Sequence, residues 1–223
     1  MTIKQRITGF GAVLAALCAT SAPALAHHVM GGKLPVTFTQ GFLSGIGHPI
    51  LGFDHLFFVA LVGIASIYTG NRFVAPLAYI GAMLVGCLCT AFGFKLPVIE
   101  AVIGLSLLAL GAFVMSGRAL SMNMALTAFA LAGLFHGSAF GESIVGAEGA
   151  APAASLIGYL VGLAATQYAI ALASGWVALS VWKATEATAV QARIAGGIVA
   201  GVGLFLTLER AEGLVMVALG MSS

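Results

Sequence analysis

Gly47-His48-Pro49-Ile50-Leu51-Gly52-Phe53-Asp54-His55 places two imidazoles and the only aspartate of the chain at the head of a long apolar run. An Asp at the centre of a membrane helix costs roughly 2.5–3.5 kcal/mol on insertion scales, so such groups face a bundle interior and mark an ion, proton or substrate path. The run that follows, about Ile50–Thr69, stops at Gly70-Asn71-Arg72. It has the length of about 20 residues that a membrane helix needs. The stretch therefore predicts an all-α membrane protein built around a cation site.

Composition points the same way. Of 223 residues 61% are hydrophobic and 7% charged, and the mean hydropathy is +1.10. A soluble domain carries about 25% charged residues, so this chain cannot cover its surface with polar groups, and its solvent is largely lipid. The net charge of +2 contains no basic run, which argues against nucleic acid as a partner.

Residues 1–26 read as a cleaved signal peptide. Lys4 and Arg6 form the charged start, Phe10 to Ala19 the apolar core, and Ala24-Leu25-Ala26 a small-x-small cleavage site. Cleavage leaves one transmembrane domain, residues 27–223, that begins His27-His28 on the periplasmic side of a bacterial inner membrane. Those two imidazoles and the new amine offer a weaker external metal site.

Five further apolar runs follow the first: about Phe73–Gly93, Val98–Ser116, Asn123–Ile144, Ala153–Trp182 and Ile194–Leu208. The expected architecture is thus a polytopic helix bundle of about six spans, with the tail Gly213–Ser223 extending the last helix or packing on the bundle. Arg72, Arg118, Lys183 and Arg193 then face the cytoplasm, against Lys33, Lys95 and Arg210 outside, a slight positive-inside bias. Gly158-x-x-x-Gly162 and Gly197-x-x-x-Gly201 match the small-residue spacing that lets helices approach closely. Cys87 and Cys89 lie two apart, about 200° around a helix, and cannot share one metal; they read as small apolar side chains.

Pro49 suits the first turn of a helix, which would put His48 near its cap. His48 and His55 share a helix face but stand about 10 Å apart along the axis. Joint ligation of one ion needs the chain to bend, and Gly52 is the place for it; otherwise the two serve separate stations. Asp54 can ligate a cation or orient a histidine. The second polar cluster, Phe135-His136-Gly137-Ser138-Ala139-Phe140-Gly141-Glu142, lies in the outer half of the fourth run, on the same side of the membrane. His48, Asp54, His55, His136 and Glu142 can therefore converge. Imidazole with carboxylate suits divalent first-row metals and serves nickel, cobalt, copper and zinc alike. Glu100 either extends this set or snorkels to the interface, and Tyr159, Gln167 and Tyr168 give the fifth run a polar stripe that lines the path.

At these residues the chain resembles the HupE/UreJ family of bacterial membrane proteins. The family signature His-Pro-x-x-Gly-x-Asp-His in the first mature helix is matched by His48 to His55 at every fixed position. His136-Gly137-Ser138-Ala139-Phe140-Gly141-Glu142 is similar to the later family motif, differing in the gap before the glutamate. The resemblance implies secondary transport of nickel, alternatively cobalt, into the cytoplasm, in support of hydrogenase or urease maturation. It makes the five clustered residues the metal path. The expected partners are the divalent ion and the bilayer, with a homo-oligomer left open, and no prosthetic group is expected. The chain is read as a transporter rather than an enzyme. The alternative is an intramembrane zinc-dependent hydrolase, which would need three strong ligands and an open position; no His-Glu-x-x-His occurs in the sequence. A bis-histidine haem protein fits less well, because Asp54 beside His55 would be costly next to haem.

Overall fold

The structure, a computed structural model, describes residues 34–146 and 149–221. The expected signal peptide and the expected weaker metal site at His27-His28 lie outside the described residues. Helix α1, Phe38–Leu51, starts at Thr37 with a reciprocal cap: Gln40 N–H donates to the Thr37 hydroxyl and Thr37 N–H to the Gln40 amide oxygen. Gly52 then takes an extended conformation (φ −83°, ψ 95°) and stops it. Helix α2, Phe53–Ser66, leaves that corner at 82°.

This corrects the expected straight span from Ile50. Pro49 sits in the last turn of α1, not the first turn of a new helix, and His48 lies at the carboxyl end of α1. Proline supplies no N–H to the turn before it and weakens the helix there, and Gly52 completes the break.

Helix α3 (Ala75–Ala91) has Pro76 in its first turn and is followed by Gly93 in the left-handed region (φ 89°). Helix α4 is Ile99–Met115, and α5, Met122–Glu142, is capped by the Ser121 hydroxyl, which accepts from Met124 N–H. A two-residue antiparallel pair, Val145–Gly146 (β1) with Gly149–Ala150 (β2), leads to α6, Ala153–Trp176. A π-helical turn, Val177–Val181, extends α6, and α7, Val190–Ala218, closes the described chain. The tail thus extends the last helix.

Helix α5, α6 with its π turn, and α7 are each long and apolar enough to cross a bilayer, and the bent α1–α2 pair has the combined length of a fourth span. The apolar α3 and α4 have 17 residues each, about 25 Å at 1.5 Å per residue. Large apolar side chains such as Ile194, Ile198, Phe205 and Leu208 on α7 are exposed, as a lipid-facing surface requires.

Close backbone approach holds the helices in pairs. Gly41 and Gly45 of α1 meet Ser155 and Tyr159 of α6, while Gly158 and Gly162 of α6 meet Phe38 and Phe42 of α1. Gly133 and Gly137 of α5 lie on the Tyr79 and Met83 carbonyls of α3 in the same way. On α7 the contact to α4 runs through Gly196 and Gly203, against Gly111 and Leu108, whereas Gly201 has open space around it and Gly197 only the Met115 side chain nearby. The seam of α7 is therefore one position off the expected Gly197-x-x-x-Gly201. Helix α2 runs through the middle of these pairs and buries nine of its 14 residues, His55 and Phe58 among them.

Candidate metal site

The α1–α2 corner, the carboxyl end of α5 and the start of α4 enclose a cavity of about 260 Å³ lined by His48, Asp54, His55, Glu100, Ala139, Glu142 and Ser143. Four of the five residues picked from the sequence line it, and the fifth, His136, lies directly behind His55. Glu142 is exposed at the cavity, and Asp54 is a quarter exposed in the first turn of α2, where the helix dipole favours a carboxylate.

The bend at Gly52 does not bring the two motif histidines together. Phe140 packs against both, edge-on to His48 at 5.1 Å between ring centroids and tilted on His55 at 4.2 Å. His48 faces the Tyr159 hydroxyl, 3.4 Å from its Nδ1. That hydroxyl also touches Ser143 Oγ at 2.9 Å and the Phe140 carbonyl at 3.1 Å. His55 instead meets His136, with the two Nδ1 atoms 2.9 Å apart. The motif thus supplies two stations, as an unbroken helix also would have done, and the bend assigns each a different partner.

Hydrogen-bond arithmetic sets the tautomers of the deeper pair. Ser106 Oγ donates its one hydrogen to the Ile103 carbonyl at 2.7 Å, so at 2.9 Å from His136 Nε2 it accepts the His136 N–H. His136 Nδ1 is then a bare acceptor, His55 Nδ1 donates to it, and the lone pair of His55 lies on Nε2. That atom is 3.8 Å from Asp54 Oδ2. Metal bonds to imidazole and carboxylate run about 2.0–2.2 Å, so a nitrogen and an oxygen at this separation can straddle one divalent ion. His136 and Ser106 behind His55 hold its ring orientation and basicity, as outer partners of ligating histidines commonly do.

Among the described residues no group of three or more His, Cys, Asp or Glu side chains is placed to hold a metal ion. Asp54 and His55 set a carboxylate oxygen and an imidazole nitrogen 3.8 Å apart, with His48, Glu142 and Glu100 along the same cavity wall. Glu100 reaches the cavity as well as the surface: it lines the wall, half exposed, and pairs with Arg210 at 3.0 Å. Ser106, Ser143 and Phe140 carry weight that their sequence positions do not advertise, since isolated serines and phenylalanines are common in apolar helices.

The HupE / UreJ protein family model matches residues 15–206, which span both polar clusters. This chain belongs to the HupE/UreJ family. Protein HupE of Rhizobium leguminosarum bv. viciae is 30% identical over 200 residues, covering 88% of this chain and 97% of its relative. No solved structure matches the chain. Family membership and the apolar helices together make this a membrane protein of the transport class.

Proposed function

We propose that this protein carries a divalent transition-metal ion, nickel first and cobalt second, across the bacterial inner membrane into the cytoplasm, with the cavity end facing the periplasm. Membership of the HupE/UreJ family supports a role in nickel or cobalt transport in general. The observation that carries the mechanism is the relay Asp54–His55–His136–Ser106. The ion is drawn into the cavity by Asp54, Glu100 and Glu142, sheds part of its water shell onto Asp54 Oδ2 and His55 Nε2, and is handed inward past His136. Two protein donors bind firmly enough for entry and loosely enough for departure, the condition for conduction through successive sites.

No nucleotide-binding P-loop motif occurs in the sequence. The membrane potential alone offers a divalent ion about 4.6 kcal/mol per 100 mV, twice the single-charge value. An inward flux then feeds metal to cytoplasmic metalloenzymes such as hydrogenase or urease. A zinc hydrolase is the poorer reading, because a catalytic zinc takes three protein ligands and among the described residues no three His, Cys, Asp or Glu side chains are placed around one ion. The test is accumulation of radiolabelled nickel in sealed proteoliposomes holding the purified protein, with cobalt and copper as competitors. Accumulation that Asp54→Asn abolishes is expected; stoichiometric binding without accumulation overturns the reading.

A further inference from the structure

We infer that Tyr79, Met83 and Gln167 form a second cation station beside His136, to which the imidazole pair delivers the ion. The inference rests on the transport reading above. All three side chains are fully buried: Tyr79 and Met83 on α3, Gln167 on α6. Gln167 lies beside Tyr79, and its Nε2 donates to Met83 Sδ at 2.8 Å. Among the described residues neither the Tyr79 hydroxyl nor Gln167 Oε1 meets a hydrogen-bond partner within 3.5 Å, and the Gln167 amide is only a weak hydrogen-bonding neighbour of the Tyr79 hydroxyl. A buried oxygen in that state bears its full desolvation cost, and two side by side mark a place where a ligand is met.

Their position fits a hand-off. The Tyr79 ring stands edge-on to His136, 5.8 Å between centroids, and Phe58 packs against both, 4.4 Å from His136 and 5.4 Å from Tyr79. Helices α3 and α5 run alongside in the same direction, with Tyr79 level with Gly133 and Met83 level with Gly137, so the two side chains flank the level of His136. Gln167 is eight residues beyond Tyr159 on α6, about 12 Å along the helix. The donors are a phenol oxygen, an amide oxygen and a thioether sulfur. All are neutral, so they hold a divalent ion more weakly than imidazole with carboxylate, and the sulfur suits a softer metal. A station of this kind accepts an ion without trapping it.

The experiment compares nickel uptake into proteoliposomes, equilibrium nickel binding and thermal melting for the wild type and the double variant Tyr79→Phe/Gln167→Met. These changes remove both orphan oxygens at nearly constant volume. Uptake is expected to fall at least about tenfold, while nickel binding stays within about twofold and the melting temperature holds or rises. Wild-type uptake in the double variant overturns the station and leaves the outer site standing. A wild-type protein that neither binds nor accumulates nickel overturns both readings. If the double variant fails to insert, Tyr79→Phe alone decides: a severalfold loss of uptake with nickel binding retained supports the station, and unchanged uptake overturns it.

Discussion

His55 and His136, 81 residues apart in the chain, face one another Nδ1 to Nδ1 at 2.9 Å inside the bundle. Only one of the two atoms can carry a proton for that contact to be favourable, and Ser106 decides which. Its hydroxyl is committed to the Ile103 carbonyl, so the His136 proton stays on Nε2 and the His55 proton points at His136. The consequence reaches the cavity, because His55 then shows its lone pair to Asp54.

Removing either donor should therefore stop transport without unfolding the protein. Asp54→Asn and His55→Ala are each expected to lower nickel uptake by at least about 100-fold, beyond the 10- to 100-fold typical of losing an outer-shell partner. Both proteins should still insert and purify, since Asp54 is partly exposed and His55 sits at the start of α2. Normal uptake in both would remove the ion from this cavity.

Ser106→Ala tests the tautomer argument one step further back. With the hydroxyl gone, His136 can hold its proton on Nδ1, and the pair then loses the single arrangement that turns the His55 Nε2 lone pair toward Asp54. Nickel affinity measured by titration calorimetry should fall about 10- to 100-fold. Ser106→Thr, which keeps a hydroxyl at the same place, should restore most of it. Equal affinity in wild type and Ser106→Ala would mean that the serine only satisfies a buried imidazole.

Much of this site was legible along the chain, because ionisable residues in an apolar run have few reasons to be there. The pairing was not. His55 meets His136 rather than His48 because α1 ends at Gly52 and turns by 82°. The segment before the motif, with Thr39, Gln40, Ser44 and three glycines, looks too polar to be membrane helix. Its stability comes from Gly41 and Gly45 lying on the α6 backbone, a close approach that hydropathy does not register. Ser106 was silent for another reason: nothing near it in sequence says that its helix passes His136. The seam on α7 was misjudged by one residue, since Gly196, Gly197, Gly201 and Gly203 all offer small-residue spacings and only packing chooses among them.

The glycine seams give a stability contrast. A Cβ at Gly137 would run into the Met83 carbonyl and its backbone neighbours, which cannot yield without parting α3 from α5, whereas one at Gly201 meets nothing within 4 Å. Gly137→Ala should destabilise by about 2–3 kcal/mol, the range of overpacked cores. Gly201→Ala should be neutral or stabilising by up to about 1 kcal/mol through helix propensity. Melting curves in one detergent compare them; equal melting temperatures would show that α3 and α5 are not held by this contact.

The ion pair at the cavity rim bears on capture rather than on stability. Glu100 and Arg210 are both more than half exposed at 3.0 Å, a class of contact worth about 0.2–1 kcal/mol. Arg210→Gln should leave the melting temperature nearly unchanged, yet it removes the cation that neutralises one of three carboxylates around the cavity. A more negative mouth concentrates divalent ions and speeds their encounter, an effect that salt screens over about 10 Å at 0.1 M. The KM for nickel uptake should therefore drop about two- to fivefold at low ionic strength and converge on the wild-type value near 0.5 M salt. The maximal rate should be unaffected, because the substitution leaves Asp54 and His55 in place. A KM that rises, or a shift that ignores salt, would mean that Arg210 positions Glu100 for the ion instead of competing with it.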